Sequence, residues 1–302
     1  MRLAACLLLL SPATPLSAAD TYVIAGTVVH NLSRAPIAKA RVFLAPSMSR
    51  AQPISVVTAA DGRFEFTQVH LGKFTLSVER NGFAPQAYNQ RRLYQQYSSA
   101  VVTGPGENTT DLVFALVPGA VVSGRVTDVN GDPVPWANGY LYRVTGNGES
   151  RSALRTNSTT TDDQGYFRFA NLAAGRYVLA MQGKPWFAAG RRPDNGDVPA
   201  YPLTFYPATT DPAAAELIEL SAGQEFNAPV AMSPVPTYSI VIKRPANIEG
   251  STPFVAFRGP SIYGAASYSL RSEYLYGAAS PMRVPGGRYQ FCLLYTSPSP
   301  RD

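Results

Sequence analysis

The stretch that decides the fold is residues 161–169, TDDQGYFRF, which has a close counterpart in residues 58–66, TAADGRFEF. In both, two phenylalanines alternate with a charged residue, as Phe167-Arg168-Phe169 and as Phe64-Glu65-Phe66. Successive side chains of a β-strand point to opposite faces, so each pair of rings falls on one face and the charge on the other. The pattern predicts strands that have one face in a core and the other in solvent.

The same order of signals continues on either side of both stretches. Each copy opens with a Gly-x-Val segment, and the two opening glycines, Gly26 and Gly124, are 98 residues apart. A spacing of this size predicts a domain-sized repeat instead of a solenoid. A third copy begins near Thr237 and contains the segment Pro285–Tyr289, the counterpart of Ala174–Tyr177.

Composition agrees with a chain of short strands joined by turns. The 302 residues include 24 Gly, 26 Pro, 17 Tyr and 14 Phe, whereas charged residues are only 15%. Such a length accommodates two or three domains of about 100 residues each. We expect an all-β chain with β-sandwich modules at 20–118 and 119–236, each with its linker, and a truncated third module at 237–291.

The two ends of the chain have patterns of their own. Arg2, the apolar run Leu3–Leu10 and the small residues Ser17–Ala19 are typical of a secretory signal peptide, expected at 1–19. Residues 292–302 match a translated sequencing adapter, so we interpret them as an artefact and expect the native gene to continue past Phe291. The only cysteines, Cys6 and Cys292, fall in these two segments, which argues against a disulfide or a thiolate site in the native modules. No apolar stretch after the signal has the roughly 20 residues needed to span a bilayer.

The motif order resembles the carboxypeptidase regulatory-like domain, which is related to transthyretin-like and collagen-adhesin B-type sandwiches. The resemblance covers residues 22–84 and 120–181 well and 237–291 weakly. It implies tandem seven-strand-type Greek-key β-sandwiches of the prealbumin type. Such domains serve as accessory modules, spacers and starch-binding-like folds in exported proteins, so the resemblance implies no particular ligand.

Catalytic and metal-binding patterns find little support. A metallocarboxypeptidase needs His and Glu zinc ligands, but the only histidines, His30 and His70, are interpreted as ordinary strand-end residues. There is no Gly-x-Ser-x-Gly elbow, and the adjacent pair Asp162-Asp163 is interpreted as turn chemistry because neighbouring residues on an extended chain diverge. The run Asp128–Asp132 has oxygen ligands at alternate positions but lacks the closing acidic residue of a calcium loop, so a reverse turn is favoured. We predict no enzyme activity and no cofactor.

Carbohydrate binding is the one active role that particular residues favour. Aromatic rings that are exposed on loops can stack on sugars. The second module and its linker contain a concentration of such residues: Trp136, Trp186, Phe187, Tyr201, Phe205 and Tyr206. The alternatives are that these rings fill the sandwich core or make a protein contact.

Charge argues against nucleic acid as a partner. The formal net charge is +6, but apart from the pairs Arg91-Arg92 and Arg191-Arg192 the arginines are dispersed singly instead of forming a stripe on one face. The sequence therefore predicts an exported bacterial protein, periplasmic, surface-bound or secreted, that acts as a non-catalytic binding or spacer module. Two alternatives stay open: a set of carbohydrate-binding modules, and the accessory part of a larger exported enzyme or outer-membrane transporter. A glycan or a cell-envelope protein is the expected partner.

Overall fold

The computed structural model describes residues 21–47, 51–90, 99–185, 187, 199–243, 254–265, 269–274 and 279–294. These residues are almost entirely strands and turns, which confirms the all-β prediction. The chain divides into two compact units: residues 1–80 with 86–116, and residues 81–85 with 117–302. In the described part of the chain, no helix is long and apolar enough to cross a membrane.

The first unit is a sandwich of two sheets. One sheet has the strand order β4-β1-β8; the other has the order β3-β2-β5, with β6 and β7 both pairing with β5. The last strand, β8, runs parallel to β1, whereas β4 is antiparallel to it. The strands are β1 (Thr21–His30), β2 (Arg41–Pro46), β3 (Ile54–Val57), β4 (Arg63–His70), β5 (Gly72–Glu79), β6 (Gln86–Ala87), β7 (Val101–Thr103) and β8 (Leu112–Leu116).

The second unit begins with the same arrangement. One sheet has the order β12-β9-β16, with β17 also on β9; the other has the order β11-β10-β13-β14, with β15 also on β13. Single 3₁₀ turns occur at Gly148–Ser150 and Pro212–Ala214. The strands are β9 (Ala120–Asp128), β10 (Asn138–Thr145), β11 (Ser152–Thr160), β12 (Tyr166–Leu172), β13 (Gly175–Gln182), β14 (Thr204–Phe205), β15 (Ile218–Leu220), β16 (Glu225–Asn227) and β17 (Val230–Met232).

The remaining strands of the second unit repeat the first pairings once more. Antiparallel β18-β21 corresponds to β9-β12, and the order β20-β19-β22 corresponds to β11-β10-β13. The hydroxyl of Tyr289 donates to the Pro285 carbonyl at 2.7 Å, as that of Tyr177 does to Ala173 at 2.7 Å. These strands are β18 (Thr237–Lys243), β19 (Phe254–Arg258), β20 (Ser269–Tyr274), β21 (Ala279–Pro285) and β22 (Gln290–Leu294).

The alternating motif behaves as the sequence predicts. Phe64 and Phe66 on β4 are buried while Glu65 between them is exposed, and Phe167, Phe169 and Arg168 on β12 repeat the pattern. The inward side chains of both sheets of the second sandwich join one core: Val122 and Val126 from β9, Leu141 from β10, Phe167 and Phe169 from β12, and Leu179 and Met181 from β13.

The repeated glycines have a steric reason. A Cβ on Gly26 would lie 2.1 Å from the Leu112 carbonyl oxygen, and one on Gly124 would lie 2.4 Å from that of Ala228. Both distances are far inside van der Waals contact, so the parallel last strand can approach the first strand only where the side chain is a hydrogen atom. The glycine of the opening Gly-x-Val segment therefore lies where the last strand of the module packs against the first strand.

Strand β13 differs from its counterpart β5. On β5 the outward residues Thr75 and Ser77 are polar, whereas on β13 the run Tyr177–Met181 is buried throughout. The outer face of β13 belongs to a second apolar cluster whose fully buried members include Ile262, from the segment after β19. The solvated face predicted for the strands of Phe64–Phe66 and Phe167–Phe169 is present on β4 and β12, whereas β13 is buried on both faces.

Candidate ligand-binding face

The second sandwich presents an exposed tryptophan. Trp136 lies in the turn between β9 and β10, its side chain is 71% exposed, and its backbone is left-handed with φ 57°. The next residue, Ala137, is fixed because its N–H donates to the Thr161 hydroxyl at 2.8 Å. The turn is thus anchored while the indole stands in solvent.

The left-handed backbone at Trp136 is a property of the fold. Lys39 occupies the same place in the first sandwich, also with φ 57°, and the following Ala40 N–H donates to the Thr58 hydroxyl at 2.9 Å. What distinguishes the second sandwich is therefore the ring that this turn presents, and not the strain at the position.

Trp136 lies between two grooves of the second unit. The larger, of about 810 Å³, runs over the β9-β12 sheet and is lined by the residues Ser123, Gly124, Arg125, Trp136, Thr159, Thr160, Thr161, Asp162, Tyr166, Phe167, Arg168, Asn227 and Pro229. The smaller, of about 540 Å³, is lined by Trp136 together with Pro135, Asn138, Gln182, Gly183, Lys184 and Pro185. A chain-like ligand that contacts the indole can therefore extend into either groove.

Strand pairing arranges the floor of the larger groove in rows. Tyr166 pairs with Arg125, and Arg168 pairs with Ser123. In the parallel partner β16, Asn227 pairs with Ser123. Directly opposed side chains on one face of a sheet lie about 5 Å apart, so Arg168, Ser123 and Asn227 form one continuous polar row.

The aromatic and basic groups of this floor are coupled. The Arg125 guanidinium lies 5.4 Å from the centre of the Tyr166 ring, and its Nε donates to the Gln164 carbonyl at 2.9 Å. Tyr166 is itself 51% exposed. Together these contacts hold a planar, partly apolar surface next to a positive charge.

The carboxylate of Asp162, which also lines this groove, accepts hydrogen bonds from the backbone. Asp162 Oδ1 accepts hydrogen bonds from the Gln164 N–H at 3.0 Å and the Tyr166 N–H at 2.8 Å. This is turn chemistry, as the sequence predicted for the Asp162-Asp163 pair. Within the described residues, the one ion pair present joins Arg63 to Asp61 in the first unit, and Arg168 has none.

The other aromatic candidates lie elsewhere. Phe187 is 37% exposed. Tyr201 and Phe205 are buried in separate core clusters, so the faces of these two rings are not available for stacking. Tyr206 is half-buried and packs edge-on against Phe226 at 6.0 Å. Tyr201, Phe205 and Tyr206 therefore lie in or against the hydrophobic core, which is the first of the two alternatives to sugar stacking. Trp186 lies outside the described residues.

Burial has a chemical consequence at Tyr201. The loss of solvent, together with the carboxylates of Asp128 and Asp132, raises the pKa of the Tyr201 phenol, which stays protonated near neutral pH. Its role is structural, in the core beneath the Asp128–Asp132 turn.

The Asp128–Asp132 segment is a reverse turn. Asp128 Oδ1 accepts from the Asn130 N–H at 2.8 Å and the Asp132 N–H at 3.0 Å, and Gly131 has a positive φ of 87°. His30 acts in a similar way, since its Nδ1 accepts from the Leu32 N–H at 3.2 Å. Across the described ranges, no group of three or more His, Cys, Asp or Glu side chains is placed to hold a metal.

Sequence reasoning selected Trp136 but missed Arg125, Tyr166 and Arg168. A signal for them existed. They occupy the positions that alternate with the buried Val126, Phe167 and Phe169, so the same alternation that predicted the core also placed these three side chains together on the outer face.

The fold and this face define a repeated β-sandwich module. The model of the carboxypeptidase regulatory-like domain matches residues 23–117 and 121–189, more than half of the chain, so the chain belongs to this family, as the motif order predicted. Domains of this type are non-catalytic. No curated protein sequence matches the chain.

Several solved structures are similar at low identity. The Bacillus anthracis TIE protein is 14% identical with a TM-score of 0.27; the match covers 91% of this chain but 45% of that protein, so this chain spans less than half of its length. GBS52, the minor pilin of Streptococcus agalactiae, is 14% identical with a TM-score of 0.31, covering 74% of this chain and 100% of that one. The shaft pilin SpaA of Lactobacillus rhamnosus GG is 9% identical with a TM-score of 0.29, covering 71% and 98%. Likenesses at this level carry no functional information.

Proposed function

We propose that the chain is an exported, non-catalytic protein whose first sandwich is a spacer and whose second sandwich binds carbohydrate through the face around Trp136. Export is supported by the signal-like pattern of residues 1–19, which lie outside the described part of the chain. The non-catalytic role is supported by the domain family.

The observation that carries the proposal is the 71% exposure of Trp136 at the junction of two grooves. A large ring that is left in water at a fixed position loses the free energy that burial would give, which is typical of a site that covers the ring with a ligand. Tyr166 adds a second exposed ring on the groove floor.

The lining favours a sugar over an apolar ligand. Ser123, Thr159, Thr160 and Asn227 offer short hydroxyl and amide groups that both donate and accept hydrogen bonds. Sugar hydroxyls have the same dual capacity, while the apolar face of a pyranose ring matches a flat aromatic side chain. The groove combines both kinds of contact.

The test is retention of the full chain on a panel of immobilised polysaccharides. We expect retention on at least one of them, and Trp136→Ala should weaken it about tenfold because the stacking surface is lost. Lys39→Ala is the matched control, since Lys39 occupies the same turn in the first sandwich with the same φ. Circular dichroism checks that both variants are folded. Failure of every polysaccharide to retain the chain, or equal weakening by both variants, contradicts the proposal.

A further inference from the structure

We infer that the larger groove beside Trp136 selects acidic polysaccharides, that is, chains of sugars that carry carboxylates. This inference rests on the proposed function and specifies its ligand. The same sheet face is present in both sandwiches, which share strand order and register.

The charge of one row of this face is reversed between the two sandwiches, although the groove of the first also contains Arg63. In the first, Glu65 pairs with Ala25, and Asp111, just before β8, lines the groove there. In the second, the corresponding row contains Arg168 and Asn227, paired with Ser123. An acidic row on one copy is thus a basic and amide row on the other.

Further positive groups flank the indole. Arg125 occupies the position of Thr27 in the first sandwich, and the exposed Lys184 lines the smaller groove together with Trp136. Of the nearby acids, Asp162 accepts two backbone N–H groups, Asp163 is exposed beside it, and Glu225 is exposed two residues before Asn227 on β16. Among the residues that line the two grooves, Arg125, Arg168 and Lys184 are basic and Asp162 is the one acid, so the lining carries a net positive charge.

A guanidinium matches a carboxylate in shape as well as charge. Its planar set of N–H donors pairs with both oxygens, and a charge-assisted hydrogen bond is about twice as strong as a neutral one. Arg168 is exposed and its guanidinium makes no ion pair within the described ranges, so it is available to such a group.

Aromatic rings and arginines also bind single-stranded nucleic acid. Here the basic side chains lie among the hydroxyl and amide groups of Ser123, Thr160 and Asn227. The oxygens of these groups can accept hydrogen bonds from sugar hydroxyls, whereas a phosphate backbone has no donor to offer them. We therefore favour the polysaccharide, and an oligonucleotide serves as the competing probe.

The experiment measures binding of the full chain to polygalacturonate, to neutral dextran and pullulan, and to a single-stranded oligonucleotide, at low and at physiological salt. We expect polygalacturonate to bind at least about tenfold tighter than the neutral polymers, with affinity falling as salt rises. Arg168→Gln should remove most of this preference. The matched control, Glu65→Gln in the first sandwich, should leave it unchanged.

The outcomes separate the two proposals. Equal binding of acidic and neutral polymers, still weakened by Trp136→Ala, overturns the inference while the carbohydrate function stands. Binding of no polysaccharide overturns both. An oligonucleotide that binds tighter than polygalacturonate, with the same sensitivity to Arg168→Gln, replaces the inferred ligand class.

Discussion

The hydroxyl of Thr161 joins two parts of the turn that presents Trp136. It donates to the Val134 carbonyl at 2.9 Å and accepts from the Ala137 N–H at 2.8 Å. Thr58 makes the equivalent bonds to Ile37 and Ala40 at 2.7 Å and 2.9 Å. Both threonines are buried, so the paired backbone groups have no access to water in exchange.

We therefore expect Thr161→Val to destabilise this turn locally by about 3 kcal/mol, because two buried backbone groups lose their partner. Hydrogen exchange of the Ala137 amide measures the effect directly. Thr161→Ser keeps the hydroxyl and should retain most of the protection, whereas the exposed Thr160→Val should change nothing at Ala137. Unchanged protection in Thr161→Val would show that the hydroxyl does not hold the turn.

Tyr142 illustrates the opposite case, a buried polar group without a partner. Its side chain is fully buried, and among the described residues its hydroxyl has no hydrogen-bond partner. Burial raises the pKa of Tyr142 to about 12 from its usual 10.0, an effect that the charge of Arg155 partly opposes. The phenolate form is therefore disfavoured in the folded state.

The sign of the pH dependence follows from this shift. Above pH 10 the unfolded chain releases the Tyr142 proton while the folded chain keeps it, so stability declines as the pH rises from about 10 to about 12. Tyr142→Phe should reduce that decline and, at neutral pH, leave the unfolding free energy unchanged or raise it by about 1 kcal/mol. Urea unfolding at pH 7 and pH 11 measures both effects.

The exposed Tyr166→Phe serves as the control. Burial also raises the pKa of Tyr140, Tyr201 and Tyr289, and these three tyrosines contribute to the dependence that remains. A Tyr142→Phe protein less stable at pH 7 by more than about 1 kcal/mol would mean that the hydroxyl has a partner.

At the scale of elements, β5 and β13 show how equivalent strands acquire different surroundings. On β5 the apolar residues Phe74, Leu76 and Val78 alternate with polar ones, while β13 carries an unbroken apolar run from Tyr177 to Met181. Alternation is typical of a strand with one solvated face, and a continuous run is typical of a strand that is buried on both.

The outer face of β13 is covered by the segment around Ile262. Ile262 is fully buried with Val178 and Ala180, and the Tyr263 carbonyl accepts from the Ala153 N–H on β11 at 3.2 Å. The Arg151 guanidinium lies 5.5 Å from the Tyr263 ring centre. The segment is therefore held by apolar packing with polar contacts at its edge.

Ile262→Ala should loosen this segment by about 3 kcal/mol because a buried aliphatic side chain is truncated. The Ala153 amide should then lose protection from hydrogen exchange, while amides of the first sandwich stay unchanged. Val129→Ala, at a side chain that is 61% exposed, is the matched control. Equal protection of Ala153 in wild type and Ile262→Ala would show that the segment does not depend on this packing.

Much of the element pattern was predictable from the sequence. The alternation around Phe64 and Phe167 predicted the strands and their inward faces, and the spacing of Gly26 and Gly124 predicted the repeat. The covering of β13 was not predicted, since a short apolar run has the same appearance whether a strand or another segment buries its second face. The unbroken apolar run Tyr177–Met181 nevertheless indicated that both faces of this strand are buried.

At the scale of the whole chain, one module architecture recurs with different surfaces. The residues that build the sandwich repeat closely: a glycine under the last strand, a buried threonine at the turn and two inward phenylalanines. The outward positions do not repeat, as Lys39 against Trp136 and Glu65 against Arg168 show. The two copies therefore share a fold and a core pattern but differ at outward positions of both sheets.

The candidate site was only partly predictable for a physical reason. Composition identified the aromatic residues of the second sandwich, but the burial of an aromatic side chain depends on which face of which element carries it. Tyr201 and Trp136 are equally attractive as stacking residues in sequence, yet one is 4% and the other 71% exposed. Alternation places Arg125 and Arg168 on the outer faces of their strands, but only the register of β9 and β12 shows that they lie on neighbouring rows of one sheet.

The central claim is that carbohydrate binds to the Trp136 face of the second sandwich. The most direct test records ¹H–¹⁵N spectra of the full chain during titration with oligogalacturonate and, in parallel, with a malto-oligosaccharide. We predict that the Trp136 indole N–H, assigned with Trp136→Ala, shifts together with amides of residues 123–125, 159–162 and 166–168, while residues 25–27 and 63–65 stay unchanged. Shifts confined to the first sandwich, or none with either sugar, would contradict the account.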